Sequence, residues 1–181
     1  MLITLAVYVD DTPGVLNRVA SLFRRRAFNI ISLTVGHTEQ PGESRMTIVA
    51  DTDEAGSRRI EANLYKLLNV TRVDLISARA SVMRDLALIK VAATSSSRPD
   101  IMQMVDVFRA RVVDVAPDSL IIEITGTEDK IDGLLDVLRP YGVLEMVRTG
   151  RVAMARGTAG PADAVARDAE DESSTEVTYS V

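Results

Sequence analysis

"LITLAVYVDDTPGVLNRVASLFRRRAFNIISLTVGH" occupies residues 2–37, and its reading decides the fold. Residues 2–9, "LITLAVYV", form a short apolar run bounded by acidic residues, which reads as a buried strand. Thr12 is placed to cap the next helix, and Pro13 suits a first turn, where a missing N–H costs nothing. Leu16, Val19, Ala20 and Phe23 then recur on one helical face, while Asn17, Arg18, Arg24 and Arg25 fall on the other. "NIISLTVGH" follows as a second strand, with Ile31, Leu33 and Val35 expected on one side.

Outward from this stretch, "TEQPGE" reverses the chain and "SRMTIVAD" returns with Met46, Ile48 and Ala50 alternating. A helix is predicted from about Asp53, with Ile60, Leu64, Leu67 and Leu68 as its stripe, and "VTRVDLIS" closes a βαββαβ unit. The order then repeats. "DLALIKVAAT" is a strand, Pro99 opens a helix carrying Ile101, Met104, Val105 and Phe108, and "RVVDVAPDSLIIEITG" is a hairpin turning at Pro117-Asp118. Thr127 is placed to cap a helix with Ile131, Leu134, Leu135 and Leu138, and "GVLEMVRTG" reads as the last strand. The expected fold class is therefore α+β: two ferredoxin-like βαββαβ modules, residues 1–79 and 80–157, followed by a flexible acidic tail, residues 158–181. Two helices cover one face of each sheet. Strands apolar on both sides predict a cover for the other face, most simply a second copy of the chain.

Composition narrows the function. Apolar residues make up 46% and charged residues 26% of the 181, ordinary values for a folded chain. No run approaches the ~20 apolar residues of a membrane span, and "MLITLAVYVDD" lacks the basic start and cleavage site of a secretory signal. The absence of cysteine excludes disulfides and thiolate chemistry and fits a cytoplasmic location. Of the net charge of −5, all lies beyond residue 156, where Asp163, Asp168, Glu170, Asp171, Glu172 and Glu176 face only Arg167. The remainder is neutral and offers no field for nucleic acid. The third strand, "RMTIVAD", also lacks the aromatic residues on which an RNA-binding sheet stacks bases. Catalysis has little material: His37 stands alone, Asp10/Asp11 and Asp51/Asp53 suit strand ends and helix caps, and no Gly-rich phosphate loop follows a strand.

What remains is the turn at residues 10–16. Open amides at a helix entrance suit a carboxylate, and Asp11 or nearby carbonyls suit an ammonium. Gly14 admits close approach of a ligand to the backbone, and Asn29 carries both a donor and an acceptor. Val15, Leu16 and Ile30 are placed to enclose a branched aliphatic group. "DTPG" on its own is equally an ordinary turn.

"DDTPGVLNRVASLFRRRAFNIISLTVG", "SRMTIV", "LYKLLNVTRV", "LALIKV", "FRARVVDV" and "LIIEITGTEDKIDGLLDVLRPYGVLEMVRTGRVAMARG", in that order, resemble the regulatory (small) subunit of acetolactate synthase over residues 1–157. The resemblance implies an N-terminal ACT domain, the βαββαβ amino-acid sensor, and no activity of the chain itself. It implies a catalytic (large) subunit as partner, which uses thiamine diphosphate, magnesium and FAD to open valine, leucine and isoleucine synthesis. It also implies activation of that partner and feedback inhibition, most often by valine bound between two ACT domains of a homodimer. Carried over by motif, the effector contacts are Asp11, Gly14, Val15, Leu16, Asn29 and Ile30; some relatives have Asn at the position of Asp11. The polar turn "GHTEQPGESRM" is the first candidate for partner contact. The alternative is a freestanding ACT-type amino-acid-responsive regulator acting on another partner.

Overall fold

Ile3, Leu5, Val7 and Val9 alternate along the first strand, and in the computed structural model, which describes residues 1–157, all four are buried on one side of it. That strand, β1 (Leu2–Asp10), is central in a four-stranded antiparallel sheet with β2 (Asn29–His37), β3 (Glu43–Asp51) and β4 (Val70–Leu75), in the order β2-β3-β1-β4. Helices α1 (Val15–Arg25) and α2 (Glu54–Leu64) lie on the Ile3–Val9 side. Val15, Val19, Leu22 and Phe23 of α1 and Ile60 and Leu64 of α2 complete that core with Met46, Ile48 and Ala50 of β3. Asp53 caps α2 as its position suggests, its carboxylate accepting the Gly56 amide at 2.6 Å.

The second half repeats the plan. Its strands are β5 (Ser81–Ala92), β6 (Arg111–Val115), β7 (Ser119–Gly126) and β8 (Val143–Arg148), in the order β6-β7-β5-β8, with α3 (Arg98–Val107) and α4 (Glu128–Leu138) between them. Ile89 and Val91 of β5, Ile122 and Ile124 of β7, Ile101 of α3, and Ile131, Leu134 and Leu138 of α4 form one core. Each half is thus a ferredoxin-like module with the strand order 2-3-1-4.

Four local expectations are corrected. Thr12 does not cap α1; Gly14 holds the N-cap position in the left-handed region, at φ 86°, and no side chain accepts from the first-turn amides. Leu16 is exposed, because α1 starts at Val15 and its buried face runs Val15, Val19, Leu22 and Phe23. Leu68 lies fully in solvent, four residues beyond the end of α2 at Leu64. A bulge between Ile30 and Ser32 shifts the register of β2, so Ile31 is extruded and exposed instead of aligning with Leu33 and Val35.

The largest difference concerns the second face of the first sheet. A further strand, β9 (Val152–Ala155), pairs antiparallel with residues 81–84, the overhanging start of β5. The resulting two-stranded ribbon lies on the first module: Ala153 and Met83 pack with Ala6, Tyr8 and Ile76. The chain itself therefore covers part of the face assigned above to a second copy. Arg45 of β3 donates to the Ala153 carbonyl and, at 3.2 Å, to the Tyr8 hydroxyl. The Arg72 guanidinium stacks 3.6 Å from the Tyr8 ring centroid.

At the end of β8, Arg148 forks onto Asp85 at 3.0 and 2.8 Å and reaches Asp132 of α4 at 3.0 Å. Burial works against the Arg148 charge, but the Asp85 hydrogen bonds and the carboxylates around it outweigh burial and raise its pKa above the ordinary arginine value. The acidic tail expected at residues 158–181 lies outside the described residues.

Removing a fully buried side chain tests the second core. Leu134→Ala should lower unfolding free energy by ~2–5 kcal/mol, and Leu68→Ala should change it by no more than ~0.5 kcal/mol; urea denaturation of the two variants measures both.

Candidate functional site

The turn between β1 and α1 is held by its neighbours rather than by its own side chains. The Asp11 amide donates to the Gly42 carbonyl at 2.8 Å, which ties the turn to the β2–β3 hairpin. Ser44 Oγ donates to Asp11 Oδ1 at 3.2 Å, and His37 Nδ1 stands 3.3 Å from Asp11 Oδ2. Ser44 and His37 thus hold the carboxylate, although neither was assigned to the site. The register of the hairpin, Asp10 opposite Glu43 and His37 opposite Ser44, is what brings them there. Nothing local in the sequence links residues 11, 37 and 44.

Gly14 is where the backbone needs glycine: φ 86° is strained for any L side chain, although a Cβ there would meet no atom within 4 Å. The mouth of α1 is therefore open on the side where a side chain would stand. The Val15 amide donates to the Thr12 carbonyl at 3.4 Å, while no side chain caps the turn, so the Leu16 and Asn17 amides are left to face an anion and the helix dipole adds partial positive charge. Leu16 offers an exposed aliphatic surface beside them. Val15 is only 4% exposed and points into the core, so its side chain lines no surface site.

Asn29 and Ile30 lie elsewhere. Asn29 pairs with Asp51, the residue that also pairs with Leu2, at the start of β1. Asp11 and Gly14 follow the other end of β1. Eight residue steps lead from Leu2 to Asp10, a span of about 27 Å. Within one chain, five of the six candidate residues fall into two groups at opposite ends of the sheet: Asp11, Gly14 and Leu16 at one, Asn29 and Ile30 at the other. Asn29 is exposed, and Ile30 is half-buried against the first core.

Strand β2 joins the two ends. It is an edge of the sheet, nine residues long, with its start at Asn29 and its end at His37, against Asp11. Its only titratable side chain is His37. Edges are usually blunted by charge or proline; this one is not.

Among the described residues, no group of three or more His, Asp or Glu side chains is placed to hold a metal. No helix there is long and apolar enough to cross a membrane.

Paired ferredoxin-like modules, the first with a helix mouth open at Gly14 and an edge strand free of lysine and proline, are the arrangement of an ACT-type protein. Comparison with known proteins gives the family. The model of the AHAS small subunit-like ACT domain matches residues 5–72, and that of the small subunit of acetolactate synthase matches residues 84–157. The chain is 51% identical over 154 residues to a probable acetolactate synthase small subunit of Archaeoglobus fulgidus, covering 85% of this chain and 96% of that one. It is 50% identical over 157 residues to the acetolactate synthase small subunit of Mycolicibacterium smegmatis, covering 87% and 92%. The crystal structure of the Thermotoga maritima acetolactate synthase small subunit superposes with a TM-score of 0.83 at 39% identity, over 88% of this chain and 99% of that one. The chain belongs to the acetolactate synthase small-subunit family. It is thereby a small-subunit homologue of regulatory kind, not the catalytic chain.

Gly14→Ala separates strain from crowding at the helix mouth. The added methyl has room, so the loss should be the left-handed penalty alone, about 1–2 kcal/mol, read as a lowered urea midpoint with unchanged circular dichroism.

Proposed function

We propose that this chain binds valine or a related branched-chain amino acid between two copies of its first module, and that occupancy controls an acetolactate synthase catalytic subunit. The observation that supports this reading is the split site joined by β2. Two β2 edges paired antiparallel about a two-fold axis would extend each four-stranded sheet into one of eight strands. The start of β2 in one chain would then lie beside the end of β2 in its mate. Asn29 and Ile30 of one chain would meet Asp11, Gly14 and Leu16 of the other, twice per pair. No single chain can complete the site, so sensing and pairing are the same event.

The chemistry suits a zwitterion. The uncapped amides of α1 take the carboxylate, and Asp11 takes the ammonium by a charge-assisted bond. The Asn29 carboxamide can serve either end. Leu16 and Ile30 enclose the branched side chain, a burial worth roughly 1.5–3 kcal/mol. Asp11 directs orientation, since its charge repels a carboxylate and attracts an ammonium. In this reading thiamine diphosphate, magnesium and FAD serve the catalytic partner and none binds this chain. The complex works in the cytoplasm, and the polar turn at residues 38–42 is the first surface to test for partner contact.

Gly14→Asp tests the reading. Its side chain would project into the open mouth and place a second negative charge where the carboxylate belongs. Mixed with the catalytic subunit, the variant should still activate acetolactate formation, while the valine concentration for half-inhibition rises at least about tenfold, a loss of about 1.4 kcal/mol of binding free energy. Full valine sensitivity would displace the site. An unchanged catalytic rate on adding the wild-type chain would favour a freestanding regulator with another partner. Sedimentation velocity should find a dimer of the wild-type chain; a strict monomer would rule out a shared site.

A further inference from the structure

Strand β2 touches the second module just past the residues assigned to the effector. Asn29 and Ile30 are followed by the bulge at Ile31, and then by Ser32, whose Oγ accepts the Arg151 amide at 2.8 Å. Gly150 lies so close to the strand that a Cβ there would stand 2.5 Å from Thr34 Oγ1, 2.7 Å from Ser32 Oγ and 3.0 Å from the Leu33 carbonyl oxygen. Only glycine allows this approach of loop to strand. Thr34 Oγ1 is buried there without a hydrogen-bond partner, so the contact is tight and not bridged by a protein polar group.

The same four-residue loop is fastened to the second module on its other side. Thr149 exchanges two bonds with Leu86 of β5: its amide donates to the Leu86 carbonyl at 2.9 Å, and its Oγ1 accepts the Leu86 amide at 3.0 Å. Arg148 grips Asp85, which is only 7% exposed. Arg151 pairs with Glu128, the first residue of α4, at 3.1 Å. Beside the loop, a cavity of about 430 Å³ opens between the modules, with the extruded Ile31, Leu2 and Val49 on one wall and Glu128 and Arg151 on the other. The bulge thus has free space on one side, and a hydrogen-bonded contact at the very next residue.

We infer that the Arg148–Arg151 loop is the element through which the state of Asn29 and Ile30 reaches the second module, with Ser32 and Gly150 as the positioning residues at the contact. This rests on the effector reading above. A ligand that pulls on Asn29 and Ile30 moves the bulge into or out of the cavity. Ser32 carries that movement to the Arg151 amide, and the loop passes it to β5 through Leu86 and to α4 through Glu128. Neither Ser32 nor Gly150 contacts the effector.

Ser32→Ala and Gly150→Ala, each in the full chain combined with the catalytic subunit, separate binding from its consequence. Valine affinity is read by titration calorimetry, inhibition by acetolactate formation, and loop response by deuterium exchange at residues 85–88 and 148–153. In wild type, valine should change exchange at both segments. In Ser32→Ala, the dissociation constant should stay within about twofold while the inhibition reached at saturating valine falls below about half of the wild-type value, and the exchange response at 85–88 should disappear. Gly150→Ala should do the same; should it fail to fold by circular dichroism, Ser32→Ala alone carries the test. Variants inhibited like wild type overturn the inference and leave the effector site standing. Loss of valine binding in Ser32→Ala also overturns it, because Ser32 would then belong to the site. A wild-type complex that binds no valine instead overturns the effector reading itself, and the coupling with it.

Discussion

Strand β1 has to be buried on both faces, and much of the architecture follows from that constraint. Ile3, Leu5, Val7 and Val9 need the two helices; Thr4 and Ala6, on the other face, are as deeply buried and lie outside their reach. Small side chains at residues 4 and 6 let another layer approach closely, and the ribbon of β5 and β9 supplies it through Ala153 and Met83. This is why β5 runs 12 residues, four beyond its pairing with β7, and why the chain does not stop at β8. The modules are joined by a shared apolar layer, and Arg45, stretched between Tyr8 and the Ala153 carbonyl, ties its polar rim.

Covering that face by the same chain leaves the edge at β2 as the free hydrogen-bonding surface of the first sheet next to the candidate site. A nine-residue edge without lysine or proline is an invitation to pair. The separation of the half-sites by the length of β1 gives such pairing a purpose, since one ligand would then bridge two molecules. A bridging ligand stabilises the paired state by its differential affinity alone, so modest binding energy suffices to bias the assembly.

The repeat of the fold was legible because strand alternation and helix stripes are local: both hairpins, both helix stripes of the second module and the Asp53 cap stand where their patterns place them. Three kinds of feature were not. The bulge at Ile31 depends on cross-strand pairing with Val49 and Ala50, invisible from one strand. The helix start fell two residues later than expected, with Gly14 in the role assigned to Thr12, and the buried face runs through Val15 and Val19 and leaves Leu16 exposed. Strand β9 is four residues long and exists only because residues 81–84 overhang the sheet, a tertiary fact. The division of the candidate residues between two ends of the sheet was not legible, because spacing along a chain does not measure distance across it. Val15 illustrates the same limit: adjacent to Gly14 in sequence, it faces the core.

The glycines at 14 and 150 play opposite parts in one scheme. Gly14 leaves an opening: its backbone is left-handed, and a Cβ placed there would have no neighbour within 4 Å. Gly150 creates a closure: with any side chain, the loop could not lie against Ser32 and Thr34. Strand β2 reaches both regions, through His37 against Asp11 and through Ser32 against Arg151. In a two-fold pair each β2 would hold an effector at its start, meet its mate's helix mouth, and press on its own second module. By linkage, whatever the second module's partner does to that contact must alter effector affinity by the same factor.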